Sequence, residues 1–251
     1  MTCAGWERRI SLSTSNRQLI LIMTTLLPTF GYRVRRLVMF LWPAFVTAAL
    51  AAASPEVTVR WAETHQRITG FGGSGGNDSA ANFQKLTPEN QQRLCELLFD
   101  VKKGIGLTMV RNEIYAWRIQ PTPGAWDWSK DKDQVWLMRQ AKVRGATNLW
   151  SAVWSPPVWM KSNGILTNGG SLLREHSQAY ADLLVRYVRE YKSRFDLDIS
   201  DVSISNEPEV KQSYQSTVWS GEEMRDFIRD HLGPTFRKDG FEAGSRPYLS
   251  F

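Results

Sequence analysis

The chain has 251 residues, of which 42% are hydrophobic and 22% charged, and its 31 basic and 25 acidic residues give a formal net charge of +6. This apolar content excludes disorder of the whole chain, and the length allows one large domain or two small ones. The charge excess is unevenly placed, so it does not by itself mark a nucleic-acid binder.

Residues 1–53 hold six arginines (Arg8, Arg9, Arg17, Arg33, Arg35 and Arg36) and one acid, Glu7. Arg33 to Arg36 leads into an apolar run from Leu37 to Leu50, which ends in Ala51-Ala52-Ala53. A basic stretch, an apolar run and a small-residue site are the three parts of a secretory signal peptide. Its late position implies a start assigned upstream of the true one. A retained signal anchor is the alternative, weakened by the shortness of the run and by Pro43. Secretion is therefore expected, with no stable membrane association unless the leader stays uncleaved. Without residues 1–53 the chain keeps 25 basic and 24 acidic residues, so no nucleic-acid partner is expected. Cys3 falls in the leader and Cys95 is left alone. Cys95 lies on an apolar helix face and reads as a core thiol rather than a nucleophile.

After the leader, residues 54–66 read as the N-terminal strand of a β side domain, because Val57-Thr58-Val59-Arg60-Trp61 alternates. Extended structure resumes over Gln66 to Phe71, which suggests a hairpin. Gly70-Phe71-Gly72-Gly73-Ser74-Gly75 then fits G-x-G-x-x-G, the dinucleotide fingerprint. That fingerprint needs a helix starting within it. Here the first helix is expected only at Thr87, an N-cap followed by Pro88, running past Leu94, Leu97, Leu98 and Val101 to Gly104. The match therefore reads as accidental and no cofactor is expected. Gly72 and Gly73 instead permit close backbone approach beneath a site.

Ile105 to Val110 reads as a buried strand followed by Arg111. A helix over 133–143 stops at Gly145, and Thr147 to Val153 is a strand ending in Ser155-Pro156-Pro157. A long amphipathic helix over 177–195 follows, then a strand over 201–205 ending in Asn206-Glu207-Pro208, then a helix from Gly221 to Leu232 closed by Gly233-Pro234. This alternation implies parallel strands with crossover helices, an α/β fold of about four units. In each unit the unusual residues come where a strand hands over to a loop, the edge at which such folds collect ligand chemistry.

Glu207 is the leading candidate for chemistry. A carboxyl just past a buried strand would be partly desolvated, as a general acid requires. The bland alternative is that Asn206 and Glu207 merely start a short helix, and Glu209 reads as a solvated decoy. Trp117, Trp126, Trp128, Trp150, Trp154, Trp159 and Trp219 lie at or beyond strand ends, and indole faces suit the flat C–H faces of sugars. Trp150 reads as core. Arg111 could hold a nearby carboxylate ionised, or be a surface arginine. His65, His176 and His231 show no metal-ligand spacing, and no serine or cysteine nucleophile motif is present.

Five motifs occur in one order: Ile68 to Ser74, Gly104 to Arg111, Trp154 to Gly164, Ser205 to Glu209 and Phe227 to Pro234. In this the chain, from about Val57 to Gly240, resembles glycoside hydrolase family 30. The resemblance implies a (β/α)8 TIM barrel with an attached β-sandwich, and cleavage of β-glycosides with retention. It makes Glu207 the acid/base, places Asn206 against the hydroxyl beside the anomeric carbon, and has Arg111 support the nucleophile. Trp154, Trp159 and Trp117 become substrate-binding cleft residues. The substrate partner is a carbohydrate, and the run from Ser162 to Leu172 looks most like the xylan-cleaving branch. Glucosylceramidases and β-1,6-glucanases or galactanases of the same family are the alternatives.

The family takes its nucleophile from the seventh barrel strand, and no matching glutamate is present. Residues 67–251 thus read as the N-terminal half of a truncated barrel, unstable alone because of its open sheet edge and inactive as it stands. A non-catalytic sugar-binding fragment and, from the glycine pattern, a nucleotide-dependent oxidoreductase are the readings of other classes.

Overall fold

The computed structural model describes residues 57–76 and 78–241, and the backbone of 248–250. The expected leader lies outside the described residues. Residues 57–67 and 68–251 fall in separate units.

In the first unit the expected strand is not formed. Residues 57–60 have no strand pairing, and Val57, Val59 and Trp61 are exposed. An alternating pattern makes a strand only where a partner edge and a face to bury are at hand. The chain turns instead at Trp61, with Arg60 paired to Glu63 at 3.0 Å.

The second unit carries a five-stranded parallel sheet in sequence order. Its strands are β1 (Gly72–Ser74), β2 (Met109–Ile114), β3 (Asn148–Val153), β4 (Ile199–Ser203) and β5 (Tyr248–Ser250). All four pairings are parallel, with Val110 beside Leu149 and Val202 beside Leu249. This is the strand–helix alternation of a TIM barrel over part of its circuit. The tail after Ala243, which has no family motif, nonetheless supplies the backbone of β5.

Helices form between the strands. The first, α1 (Ser79–Gln84), corrects the expectation that no helix precedes Thr87. It is short and lacks a side-chain cap, and nothing in its polar sequence marks it. Next comes α2 (Pro88–Phe99), where Thr87 accepts from the Asn90 amide at 3.3 Å and Pro88 sits in the first turn. It stops two residues before Val101, which is 70% exposed. The reason is local: the amides of Ile105 and Leu107 bond to the last carbonyls of α2, Leu97 and Leu98. Those amides are therefore unavailable to a sheet, and β2 begins at Met109 rather than Ile105. Arg111 consequently lies inside β2 and not after it.

The short α3 (Ala116–Ile119) precedes α4 (Lys132–Lys142). After β3, α5 (Ser177–Phe195) has the expected bounds and buries Tyr180, Leu183, Leu184, Tyr187 and Tyr191 completely. Each such side chain contributes about 1.5–3 kcal/mol relative to exposure. After β4, α6 (Gly221–Phe227) starts with a capping box between Ser220 and Glu223. It does not end at Gly233-Pro234. A wide π turn over Ile228–Leu232 lets the Gly233 amide reach back to the Ile228 carbonyl, and α7 (Gly233–Lys238) continues the rod. Pro234 has no amide to give, and the wider turn makes room for its ring. The Thr235 hydroxyl donates to the His231 carbonyl at 2.8 Å.

Candidate active site

The strand ends after β1, β3 and β4 and the middle of β2 bring one cluster together. Arg111 stands in register with Ser74 on one side and Trp150 on the other. Its guanidinium carbon lies 5.0 Å from the Trp150 ring centroid and 4.5 Å from that of Trp154. Burial pushes the guanidinium below its ordinary value, and the charges of Glu113 and Glu207 oppose that shift. A half-buried cation thus sits against two indole faces, and two carboxylate charges offset part of its desolvation.

From Arg111 a chain of hydrogen bonds runs to Glu207. Arg111 Nη2 donates to Asn206 Oδ1 at 2.7 Å, and Asn206 Nδ2 donates to Glu207 Oε2 at 3.2 Å. An arginine can only donate, so it fixes which end of the Asn206 amide faces Glu207. Tyr214 donates its hydroxyl to the same Oε2 at 2.6 Å, and Gln212 Nε2 approaches it at 3.4 Å.

Glu207 departs from expectation in two ways. It is exposed, so the desolvation foreseen for it is not present. Its backbone also occupies the left-handed region at φ 45°, directly before Pro208. Both the side chain and the following proline disfavour that conformation, which costs on the order of 1–3 kcal/mol. The helix start that would have been the bland reading is not formed either; β4 ends at Ser203, and turns lead on to Glu207.

The glycines after β1 shape the other wall. A Cβ on Gly72 would lie 2.4 Å from the Met109 carbonyl oxygen, which the β1–β2 pairing holds in place. One on Gly76 would meet Trp154 at 3.3 Å and the Glu113 Cβ at 3.5 Å. Gly73 has no such constraint, its nearest neighbour being a Leu107 methyl at 3.9 Å, so the closeness argued for it is corrected to Gly72 and Gly76. The fingerprint reading meets α1, a helix of six residues whose N-cap is the acid Asp78 with a positive φ. A carboxylate at that end repels phosphate.

Of the residues singled out in the sequence, Glu207, Asn206, Arg111 and Trp154 come together. Trp154 is only 4% exposed and supports Arg111, a correction to its expected place as an open cleft wall. Trp159 donates Nε1 to the Gln120 carbonyl at 3.3 Å and meets His176 edge-on at 5.1 Å. Trp117 packs against Tyr115 and carries the Arg118 guanidinium at 4.7 Å. Trp126 and Trp128 stack on each other, with Arg186 over Trp126 at 4.1 Å.

Sequence reasoning missed Glu113, Tyr214, Gln212 and Lys161. Lys161 is 3% exposed; its Nζ donates to the Leu166 carbonyl at 3.1 Å and the Ser216 carbonyl at 2.6 Å. Burial pushes this ammonium down to about 8. It straps the loop after β3 to the loop that carries Tyr214. The only sequence signal for Tyr214 is an aromatic residue in the polar run Lys211-Gln212-Ser213-Tyr214-Gln215. Among the described residues no three acids, histidines or cysteines gather as metal ligands.

Residues 128–244 match the glycosyl hydrolase family 30 TIM-barrel domain. Among curated proteins, a putative glucosylceramidase 3 of Caenorhabditis elegans is 25% identical over 73% of this chain and 39% of its own length. The endo-1,6-beta-D-glucanase neg1 of Aspergillus fumigatus is 26% identical over 71% of this chain and 43% of its own. Among solved structures, the catalytic domain of xylanase C of Talaromyces cellulolyticus is 31% identical with a TM-score of 0.66, over 72% of this chain and 46% of that one. The chain spans about two fifths of the length of the curated relatives it matches.

Proposed function

Since the chain belongs to glycoside hydrolase family 30, we propose that it serves the retaining hydrolysis of a β-glycoside, with Glu207 as the acid/base. The observation that carries this reading is Glu207 itself. It is a glutamate in a strained backbone conformation at the mouth of a parallel sheet, its carboxyl held by Asn206, Tyr214 and Gln212. Backbone strain of this kind persists where the surroundings over-determine it, and it clusters at reacting groups.

In this scheme the Glu207 carboxyl protonates the leaving oxygen while a carboxylate about 5–5.5 Å away attacks the anomeric carbon. Glu207 then takes the proton of the water that releases the sugar. No described residue is assigned the attacking role. To Asn206, whose amide is oriented by Arg111, we assign the bond to a sugar hydroxyl beside the reacting carbon. Trp159, part exposed, is offered as a stacking surface.

The substrate we propose is a β-1,4-xylan. The likeness to a xylanase at 31% identity supports it, together with the run from Ser162 to Leu172. Glucosylceramide and β-1,6-glucan are the alternatives, from relatives at 25% and 26% identity. Secretion is part of the proposal and rests on the basic, apolar and small-residue succession within residues 33–53. An exported product beginning at Ser54 would support it.

The test is hydrolysis of glucuronoxylan, β-1,6-glucan and glucosylceramide by the full chain and by Glu207→Gln. Release of sugar from xylan that the substitution removes supports the reading and overturns the expectation that the chain is inactive as it stands. Turnover that survives Glu207→Gln refutes the assignment, and binding without turnover makes this a sugar-binding protein instead.

A further inference from the structure

We propose that Tyr214 is a positioning residue for this chemistry: its hydroxyl pins Oε2 of Glu207 and thereby leaves Oε1 as the oxygen that carries the proton. The inference rests on the reading of Glu207 as acid/base and names the atom through which it acts.

Three donors converge on one oxygen. Tyr214 OH, Asn206 Nδ2 and Gln212 Nε2 approach Glu207 Oε2 at 2.6, 3.2 and 3.4 Å. A carboxylate oxygen has two lone pairs in its plane, and this one has more donors than lone pairs. A proton placed on Oε2 would face those donors head-on. The proton of the acid form therefore belongs on Oε1.

Tyr214 is the shortest of the three bonds, and a phenol donating to a carboxylate makes a strong, charge-assisted contact. Glu207 needs such an anchor because it is exposed, and a free glutamate side chain would spend its rotamer freedom in solvent. The phenol is itself well based, although Tyr214 is 44% exposed. Its loop is strapped to the loop after β3 on both sides. Asn168 N donates to the Gln212 carbonyl at 2.8 Å, and Gly169 N to Ser216 Oγ at 2.9 Å. Thr167 and Gln215 form an antiparallel bridge, and Lys161 holds the Ser216 carbonyl. The neighbouring carboxylate pushes the phenol's ionisation upward, so it stays a donor throughout.

The proton balance follows. In the first half-reaction the proton on Oε1 moves to the glycosidic oxygen. The bond from that oxygen to the anomeric carbon breaks with its electron pair, and a carboxylate nucleophile bonds to the carbon. In the second, Oε1 removes a proton from water as the water oxygen displaces that carboxylate. Tyr214 keeps its own proton through both.

The test compares leaving groups. Dinitrophenyl and methyl β-xylobiosides, with the matching β-glucosides beside them, are hydrolysed by the full chain and by Tyr214→Phe. A dinitrophenolate departs without a proton and a methoxide does not. We expect kcat/KM for the methyl glycoside to fall about tenfold further than for the dinitrophenyl one, a part of what a general acid supplies. Equal losses on both would make Tyr214 merely structural, and no loss on either would also overturn the proposal.

A second readout does not need turnover. Ultraviolet difference titration should show one phenol, missing in Tyr214→Phe, that ionises above the ordinary range and moves down in Glu207→Gln. Absence of that movement overturns the contact. Should the wild type cleave none of these glycosides while the titration shows the coupling, the glycosidase reading fails, and the bond is then a structural one, which overturns the positioning role.

Discussion

Arg111 and Asn206, 95 residues apart in the chain, meet through a 2.7 Å hydrogen bond from Nη2 to Oδ1. The bond needs both the planar fork and the charge of arginine, because the same group also lies against Trp150 and Trp154. Lysine keeps the charge but has neither fork nor stacking plane. Arg111→Lys should therefore destabilise by about 1–2 kcal/mol, and Arg111→Met by about 2–3 kcal/mol because it also leaves Asn206 Oδ1 without its charged donor. Urea unfolding of the two variants measures both. Equal losses would mean that charge plays no part.

Asp131 gives the protein a pH dependence. It is 1% exposed, and burial pushes its carboxyl up to about 6 against the hydrogen bonds it accepts from Tyr191 and Gln134. A folded-state value above the ordinary carboxylate means that the protonated form suits the folded chain. Its stabilisation is complete below about pH 4 and is lost as pH rises through 6. The difference in unfolding free energy between wild type and Asp131→Asn should shrink by up to about 3 kcal/mol between pH 4 and 7. A difference independent of pH would show that Asp131 is ionised throughout.

Helix α5, Glu207 and strand β2 show how far the sequence could be read. The bounds of α5 were legible because 19 residues with one apolar stripe leave a single helical phase. The position of Glu207 was legible from the strand before it and the proline after it. The polar half of β2 was not: Arg111-Asn112-Glu113 reads as a loop, yet Asn112 and Glu113 are buried at 0% and 1% exposure beside the residues of β3. The donors to Glu207 come from a loop without periodicity, where only long-range bonds decide what each side chain meets. Nor does a tryptophan at a strand end announce whether it faces solvent; Trp154 is covered by Arg111, while the side of α5 decides the fate of Trp126. The extension of α6 through Gly233-Pro234 depends on a π turn that local propensity does not announce.

Lys161 tests the strap between the two loops. Its ammonium, pushed from 10.5 down to about 8 by burial, makes the neutral amine the form the folded chain prefers. The cost of holding it charged is full below pH 8 and disappears as pH rises from 8 towards 10.5. Lys161→Met should cost about 1–3 kcal/mol at pH 7 by leaving the Leu166 and Ser216 carbonyls without their donor. The gap from wild type should then widen by about 2 kcal/mol between pH 7 and 9.5. Unfolding in urea at the two pH values measures it, and a constant gap would mean that the amine stays solvated.

The strain at Glu207 makes a prediction of opposite sign for stability and function. At φ 45° a Cβ is unfavourable, whereas glycine takes the left-handed region freely. In ordinary extended or helical backbone an alanine is more stabilising than a glycine by about 0.5–1 kcal/mol. Here the order should reverse, with Glu207→Gly more stable than Glu207→Ala by about 1 kcal/mol. Both variants lose the bonds from Tyr214, Asn206 and Gln212 equally, so that loss cancels in the comparison. Both should also lose hydrolysis of glycosides with poor leaving groups, so the glycine variant gains stability relative to alanine with no return of activity. Thermal unfolding of the pair measures the difference, and an alanine variant as stable as the glycine one would mean that the backbone relaxes out of the left-handed region once the carboxyl is gone.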